Sequence, residues 1–215
     1  MLNNTDTHET DTRPDADLAA KLERLCDIVA GYGSLLTAFS GGVDSTLVAA
    51  VARKTLGKDK APAVIGDSPS LPRRALRDAI EMAEQLDLNL HIVQPKEQAD
   101  PTYQRNDGRR CYSCKQHLYG EMVQLAGKLT IQYLANGANL DDQGDYRPGL
   151  EAASEASVVS PLVEAKLDKA AVRGLAMVLG LSNWDQPAAA CLASRVQYGT
   201  QVTPEVLAKV EAAED

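Results

Sequence analysis

The sequence predicts an α/β fold, a Rossmann-like parallel sheet of about five strands with helices on both faces. Three observations predict it. Short apolar runs at 35–39, 63–66, 90–93, 131–135 and 158–160 alternate with longer stretches of helical periodicity, the spacing expected of right-handed βαβ units. Capping residues and glycines punctuate the stretches between those runs. The first run opens directly into Ser40, Gly41, Gly42, Val43, Asp44 and Ser45, at the strand end where such sheets bind ligands.

In chain order, Asp15 or Asp17 is placed to cap a first helix running to about Gly31, with Gly31 and Gly33 as its stop. Residues 35–39 form the first strand. The helix over 43–56 ends at Gly57, the second strand covers 63–66, and Ser70 is expected to cap a helix with Pro72 in its first turn. The third strand spans 90–93, the polar stretch 95–110 reads as a loop, and a helix covers about 112–125. The fourth strand, 131–135, feeds the polar segment 136–142. Val158, Val159 and Ser160 make a short fifth strand before Pro161. Asp168 caps a helix over 169–179 that Gly180 closes, and a long loop from Ser182 carries Cys191. Thr203 and Pro204 start a final helix still running at Asp215.

With 215 residues the chain can bury a real core, and one main domain is the prior. A formal charge of −8 argues against a protein that grips nucleic acid through a broad basic face, and leaves room for a small anion in a local pocket. Residues 1–17 are polar and acidic without an apolar signal core, and no later stretch is long enough to span a membrane, so a cytoplasmic protein is expected.

The 40–45 loop has the make-up of a phosphate cradle. Two glycines let backbone N–H groups approach an anion closely, a helix N-terminus faces it, and Ser40 and Ser45 add hydroxyl donors. The loop lacks the lysine of the Gly-x-x-x-x-Gly-Lys-Ser/Thr pattern, which disfavours a kinase or GTPase. An ordinary βα turn is the alternative.

Cys26 falls on the apolar face made by Leu18, Leu22, Leu25 and Val29 and reads as core. Cys111 and Cys114 are one helical turn apart at a loop-to-helix junction, a spacing shared by redox couples, zinc half-sites and iron–sulfur ligands. A zinc site would need a fourth ligand, for which only His91 and His117 offer themselves. With Cys191 as third ligand the set suits a cubane cluster with one open iron; three unrelated buried thiols are the alternative.

Asp141, Asp142, Asp145, Tyr146 and Arg147 form an acidic stretch closed by an arginine at a strand's carboxyl end, readable as a solvated loop or as contacts to magnesium–ATP. Ser194 and Arg195 offer a hydroxyl and a guanidinium to an anionic substrate. Arg73, Arg74 and Arg77 read as a solvated helix face, and Trp184 as packing.

The Ser-Gly-Gly-Val-Asp-Ser loop resembles that of the PP-loop ATP pyrophosphatases. Four further motifs, Ser68 with Pro69 to Pro72, the Arg110-Cys111-Tyr112-Ser113-Cys114-Lys115 run, Asp145 to Gly149, and Cys191 to Arg195 with Tyr198 and Gly199, are similar to those of the LarE-type sulfur transferases. The resemblance implies a PP-loop, adenine nucleotide alpha hydrolase-like fold. It also implies ATP-dependent adenylation of a carboxylate of pyridinium-3,5-biscarboxylic acid mononucleotide, in nickel-pincer nucleotide cofactor biosynthesis. Sulfur then replaces oxygen, and AMP and pyrophosphate are released.

By the same resemblance, Ser40, Gly41, Gly42, Asp44 and Ser45 bind ATP phosphates and Mg2+, Ser68 lies near the adenosine, and Asp44, Cys191, Ser194, Arg195 and Glu214 serve substrate phosphate or catalysis. Cys111, Cys114 and Cys191 match the branch that holds a 4Fe-4S cluster; the sacrificial-cysteine branch places its donor where this chain has Ala190. Gln197 replaces the usual proline of the Ser-Arg-x-Pro-Tyr-Gly run. The implied partners are a small-molecule nucleotide and a protein that supplies sulfide, with a homo-oligomer as the expected assembly and neither membrane nor nucleic acid. The expected organisation is a flexible tail over 1–16, an ATP-binding domain over 17–185, and over 186–215 a cysteine-bearing loop with the start of a C-terminal region that is cut short. A tRNA thiolase of the same superfamily, an amide-forming ligase, and an ATP- or cluster-binding module without independent catalysis are the competing readings.

Overall fold

The computed structural model describes residues 16–144 and 148–214. Asp15, the remainder of the expected N-terminal tail, Asp145, Tyr146, Arg147 and Asp215 lie outside the described residues.

Four parallel strands among the described residues, β1 (Leu35–Ala38), β2 (Ala63–Gly66), β3 (Leu90–Val93) and β4 (Tyr133–Ala135), form one sheet in the order β3-β2-β1-β4. The helices are α1 (Ala16–Tyr32), α2 (Val43–Leu56), α3 (Arg73–Gln85), α4 (Pro101–Gln104), α5 (Arg110–Leu129), α6 (Pro148–Glu155), α7 (Pro161–Glu164), α8 (Lys169–Val178) and α9 (Pro204–Glu214). Strand β1 is central and buried along its whole length. Its residues alternate between faces, as a pleated strand must: Leu35 packs into a core with α1, α2, α7 and α8, whereas Leu36 and Ala38 pack with Tyr119, Met122 and Ala126 of α5. A third cluster joins Ala63 and Ile65 of β2 to Ala79 and Ala83 of α3.

The order reverses at β1: the chain crosses to β2 on one side and returns to β4 on the other, in register Leu35 with Tyr133 and Thr37 with Ala135. That reversal opens a crevice between the loops leaving β1 and β4, the place where an open parallel sheet binds ligands. The 40–45 loop and residues 136–142 lie on its two sides.

The expected fifth strand shrinks to one bridge. Val159 N–H donates to Leu134 O at 2.8 Å and Asn136 N–H to Val159 O at 3.1 Å, pairing Val159 with Ala135 alone. Pro161 has no N–H to extend the ladder and instead opens α7. Ser70 is not a cap either: Pro72 is the N-cap of α3, with no side-chain cap, and the Ser70 hydroxyl meets Ser68 Oγ at 2.9 Å. The 95–110 stretch holds a 3-10 turn at Glu97–Ala99 and the short helix α4, capped by Asp100. Helix α5 begins and ends beyond the expected 112–125, and Asp17 lies inside α1, paired with Lys21 at 2.6 Å.

Candidate functional site

The 40–45 loop is closed by its own side chains. Ser45 Oγ accepts the Ser40 N–H at 3.1 Å, meets Ser40 Oγ at 3.0 Å and donates to Gly42 O at 3.0 Å. Gly42 is the N-cap of α2 and makes no side-chain cap, so the helix presents unpaired N–H groups and its positive end to the crevice. Two glycines are dictated by contact. Gly41 has φ +75°, and a Cβ on it would lie 2.9 Å from the Ala79 Cβ of α3. A Cβ on Gly137, from the β4 loop, would come within 2.7 Å of Ser45 N. The second glycine lets the two loops of the crevice touch backbone to backbone.

Asp44, in the first turn of α2, is held between two elements. Its Oδ1 accepts Asn139 Nδ2 at 3.0 Å and its Oδ2 forms an ion pair with the Lys169 ammonium of α8. Two carboxylates of the acidic stretch have protein partners: Asp142 Oδ2 accepts the Asn139 N–H within the loop, and Asp141 Oδ2 accepts the Lys169 N–H at the start of α8, both at 3.0 Å. Behind the loop, the buried Asn183 donates to Gly41 O at 2.8 Å and Thr46 Oγ1 at 3.0 Å. Above it lies a cavity of about 330 Å³ lined by Ser40, Gly42, Asp44, Ser45, Asn136 and Lys115, among others. Backbone donors, a helix end and the carboxylates of Asp44 and Asp142 suit this cavity to a nucleotide phosphate and its cation.

The cysteines are gathered from two distant segments. Cys111 is exposed at the start of α5, Cys114 is partly buried one turn on, and Cys191 is exposed as the N-cap of a 3-10 turn, Leu192–Arg195. Burial is the main reason that the Cys114 thiol is pushed up to about 12; Lys115 opposes the rise, while Glu97, Cys191 and Cys111 add to it. Cys111 and Cys191 thus each lie near enough to Cys114 to add to its rise. Three soft thiol donors suit a thiophilic metal or iron–sulfur group. Even so, among the described residues no group of three or more His, Cys, Asp or Glu side chains is drawn together to hold a metal ion. His117 does not supply a fourth ligand, since its Nε2 faces Asp100 Oδ2 at 3.3 Å.

Arg110 joins the two segments. Its guanidinium, 6% exposed, bonds Asn106 Oδ1 at 2.5 Å and Ala193 O at 2.7 Å. Asn106, fully buried with φ +52°, donates in turn to Gln197 O at 2.9 Å and Thr200 O at 3.0 Å. Leu192 N–H reaches Ser70 O at 2.9 Å, tying the Cys191 segment to the turn after β2. A satellite core of Tyr103, Leu192, Val196, Val202 and Leu207, with Cys114 against it, fills the space beneath.

Ser68 sits in that turn, its buried hydroxyl bonded to the carboxylate of the fully buried Glu97. Ser194 Oγ donates to Cys191 O at 2.7 Å, and Arg195 bonds Ala190 O, Cys191 O at 2.9 Å and Glu214 Oε1 at 2.7 Å. Ser194, Arg195 and Glu214 thus brace the backbone of the Cys191 loop against α9. Arg74 and Arg77 are exposed as expected, while Arg73, with its side chain 40% exposed, is also a brace. It bonds Asp67 at 2.5 Å, Ser68 O at 2.6 Å and Leu71 O at 2.8 Å, and its N–H meets Glu211 of α9 at 2.5 Å. Trp184 is 40% exposed, contrary to the packing role expected of it. Asn139, Lys169, Asn183, Asn106, Arg110 and Glu97 were missed by sequence reasoning. Only Arg110 carried a local signal, its place beside Cys111; Lys169 meets a partner 125 positions away.

The NAD synthase family model matches residues 23–114, which hold β1 to β3 and the start of α5. An uncharacterized protein of Synechocystis is 44% identical over 197 residues, covering 92% of this chain and 73% of that protein. The pyridinium-3,5-bisthiocarboxylic acid mononucleotide synthase of Lactiplantibacillus plantarum is 36% identical over 199 residues, 93% of this chain and 72% of its own length. An uncharacterized protein of Methanocaldococcus jannaschii is 26% identical over 181 residues, 84% of this chain and 68% of that protein. Among the described residues no helix is long and apolar enough to cross a membrane.

Proposed function

This chain belongs to the LarE-type family of the PP-loop superfamily, and on that premise we propose that it is an ATP-dependent sulfur transferase acting on pyridinium-3,5-biscarboxylic acid mononucleotide. The observation that carries this reading is 36% identity to a synthase of the bisthiocarboxylic product, and it is supported by a strand-to-helix loop facing a cavity that Lys115, the residue after Cys114, also lines.

A substrate carboxylate oxygen attacks the α-phosphorus of ATP and pyrophosphate leaves, giving an acyl adenylate. Sulfide then attacks the acyl carbon, the C–O bond breaks, and AMP departs with that oxygen. Adenylation matters because oxide is too poor a leaving group to be displaced directly. The N–H groups of the 40–45 loop and the α2 N-terminus hold the phosphates, with Ser40 and Ser45 adding hydroxyls. Asp44, which pairs with Lys169 in the free protein, would hold Mg2+, and Ser68 would lie at the adenosine end. Ser194, Arg195 and Glu214 fix the Cys191 loop and face the substrate phosphate. Cys111, Cys114 and Cys191 would hold a 4Fe-4S cluster, which supplies a sulfide at an open iron when bound.

The test is anaerobic reconstitution with iron and sulfide, followed by addition of ATP and the dicarboxylate mononucleotide. Expected are release of AMP and pyrophosphate and the mass gain of oxygen-to-sulfur exchange. Turnover without a cluster, or conversion of a cysteine to dehydroalanine, refutes the cluster assignment. Amide formation by the Cys191→Ala variant would place the chain with the ligases whose domain model it matches.

A further inference from the structure

The cavity above the cradle faces a polyanion with little positive charge of its own. The 40–45 loop contains no lysine. The described lining includes the carboxylates Asp44 and Asp142, and Lys169 beside them is already paired with Asp44. A triphosphate placed there would meet backbone dipoles and a helix end, with its charge otherwise uncompensated.

One cation lines the cavity from another element. Lys115 of α5 is the basic side chain among the described lining residues. It is exposed and makes no hydrogen bond or ion pair to any described residue. Its stem runs past Gly149, where a Cβ would lie 3.2 Å from Lys115 Cγ, so this glycine leaves room for the lysine at the cavity wall. Lys115 also directly follows Cys114 on α5, so the residue that lines the cavity adjoins one of the three cysteines in the chain.

We propose that Lys115 supplies the phosphate-binding cation absent from the loop, reaching the α-phosphate of the bound nucleotide from α5 while the loop N–H groups reach it from β1. The α-phosphate is assigned because Lys115 adjoins Cys114 on α5, one of the thiols to which the reading above gives the sulfur that must meet the activated carboxylate. An ammonium on a flexible stem acts as a mobile point charge that can follow this group from ATP to acyl adenylate to AMP. The inference rests on the ATP-using reading above.

The experiment measures binding of AMP, magnesium α,β-methylene-ATP and adenosine by calorimetry to the wild type and to Lys115→Met and Lys115→Arg. Lys115→Met is expected to weaken AMP and the triphosphate analogue alike, by about tenfold or more, and to leave adenosine unchanged. Lys115→Arg is expected to keep most of the affinity, and both variants to melt with the wild type. Unchanged AMP binding by Lys115→Met, a loss confined to the triphosphate, or an equal loss for adenosine each overturns the assignment. A wild-type protein that binds none of the three ligands instead overturns the ATP-using reading and takes this inference with it.

Discussion

The 40–45 loop, proposed as a phosphate cradle, and the segments of Cys111, Cys114 and Cys191, proposed as a cysteine rim, are made in opposite ways. Ser40, Gly42 and Ser45 close the cradle within six residues, on the most buried strand of the fold. The rim is assembled from segments about eighty residues apart, through the Arg110 contact with Ala193, the Asn106 contacts with the 196–200 loop and the Leu192 contact with Ser70. A local circuit forms whenever its strand and helix form. A remote one depends on tertiary contacts, each of which orders a segment at a cost in conformational entropy. The cradle should therefore survive damage to the rim, and substitutions can separate the two.

The largest expected effect comes from Gly137→Ala. The new methyl meets backbone at 2.7 Å from Ser45 N, where no side chain can rotate away. A loss of about 3 kcal/mol in denaturant unfolding is expected, with nucleotide binding lost in calorimetry. Unchanged nucleotide affinity would show that the two loops need not touch.

Next is Arg110→Met, which removes the tie to Asn106 and Ala193 and is expected to cost about 2 kcal/mol. Limited proteolysis should then cut within 186–200 while nucleotide affinity stays within a factor of two or so of wild type. Equal damage to both functions would abolish the distinction between local and remote construction.

Asp100 tests the rim through pH. Hydrogen bonding, first from Ser113 and then from the Thr102 N–H and His117, outweighs partial burial and lowers its carboxyl from 3.8 to about 2. A lowered carboxyl stabilises the fold above its unfolded value, and that contribution disappears as pH falls from about 4 through 2. Asp100→Asn should therefore lose on the order of 1 kcal/mol at neutral pH and show a flatter stability profile over that acid window. A parallel profile in the two proteins would remove Asp100 from the acid response.

The smallest effect is expected for Cys26→Ala. Cys26 packs partly buried against the α1–α2–α8 core, away from the other thiols. A change of about 1 kcal/mol or less is expected, with full iron uptake on reconstitution, whereas Cys111→Ala, Cys114→Ala and Cys191→Ala should each prevent it. Iron uptake that falls with Cys26→Ala would bring the fourth thiol into the site.

The sequence by itself determined the parallel α/β class, the glycine–serine loop between β1 and α2, and the placing of Cys111 and Cys114 one helical turn apart. Those features are written in short-range terms: apolar runs and helix punctuation, a glycine–serine loop between strand and helix, and one Cys-x-x-Cys turn. Only the tertiary structure decided that Val158 to Ser160 would make a bridge and not a strand, because the proline that ends the ladder also starts a helix. It also decided which polar side chains do positional work. Arg73 looks solvated in sequence and is a brace in space; Asn139 and Lys169 meet Asp44, and Arg110 meets Ala193, across separations that carry no local periodicity. Lys115 stands between the two kinds of information. Its place after Cys114 is legible in the chain, but its place in the wall of the cavity above the 40–45 loop exists only because α5 packs beside β1 and Gly149 makes room for it.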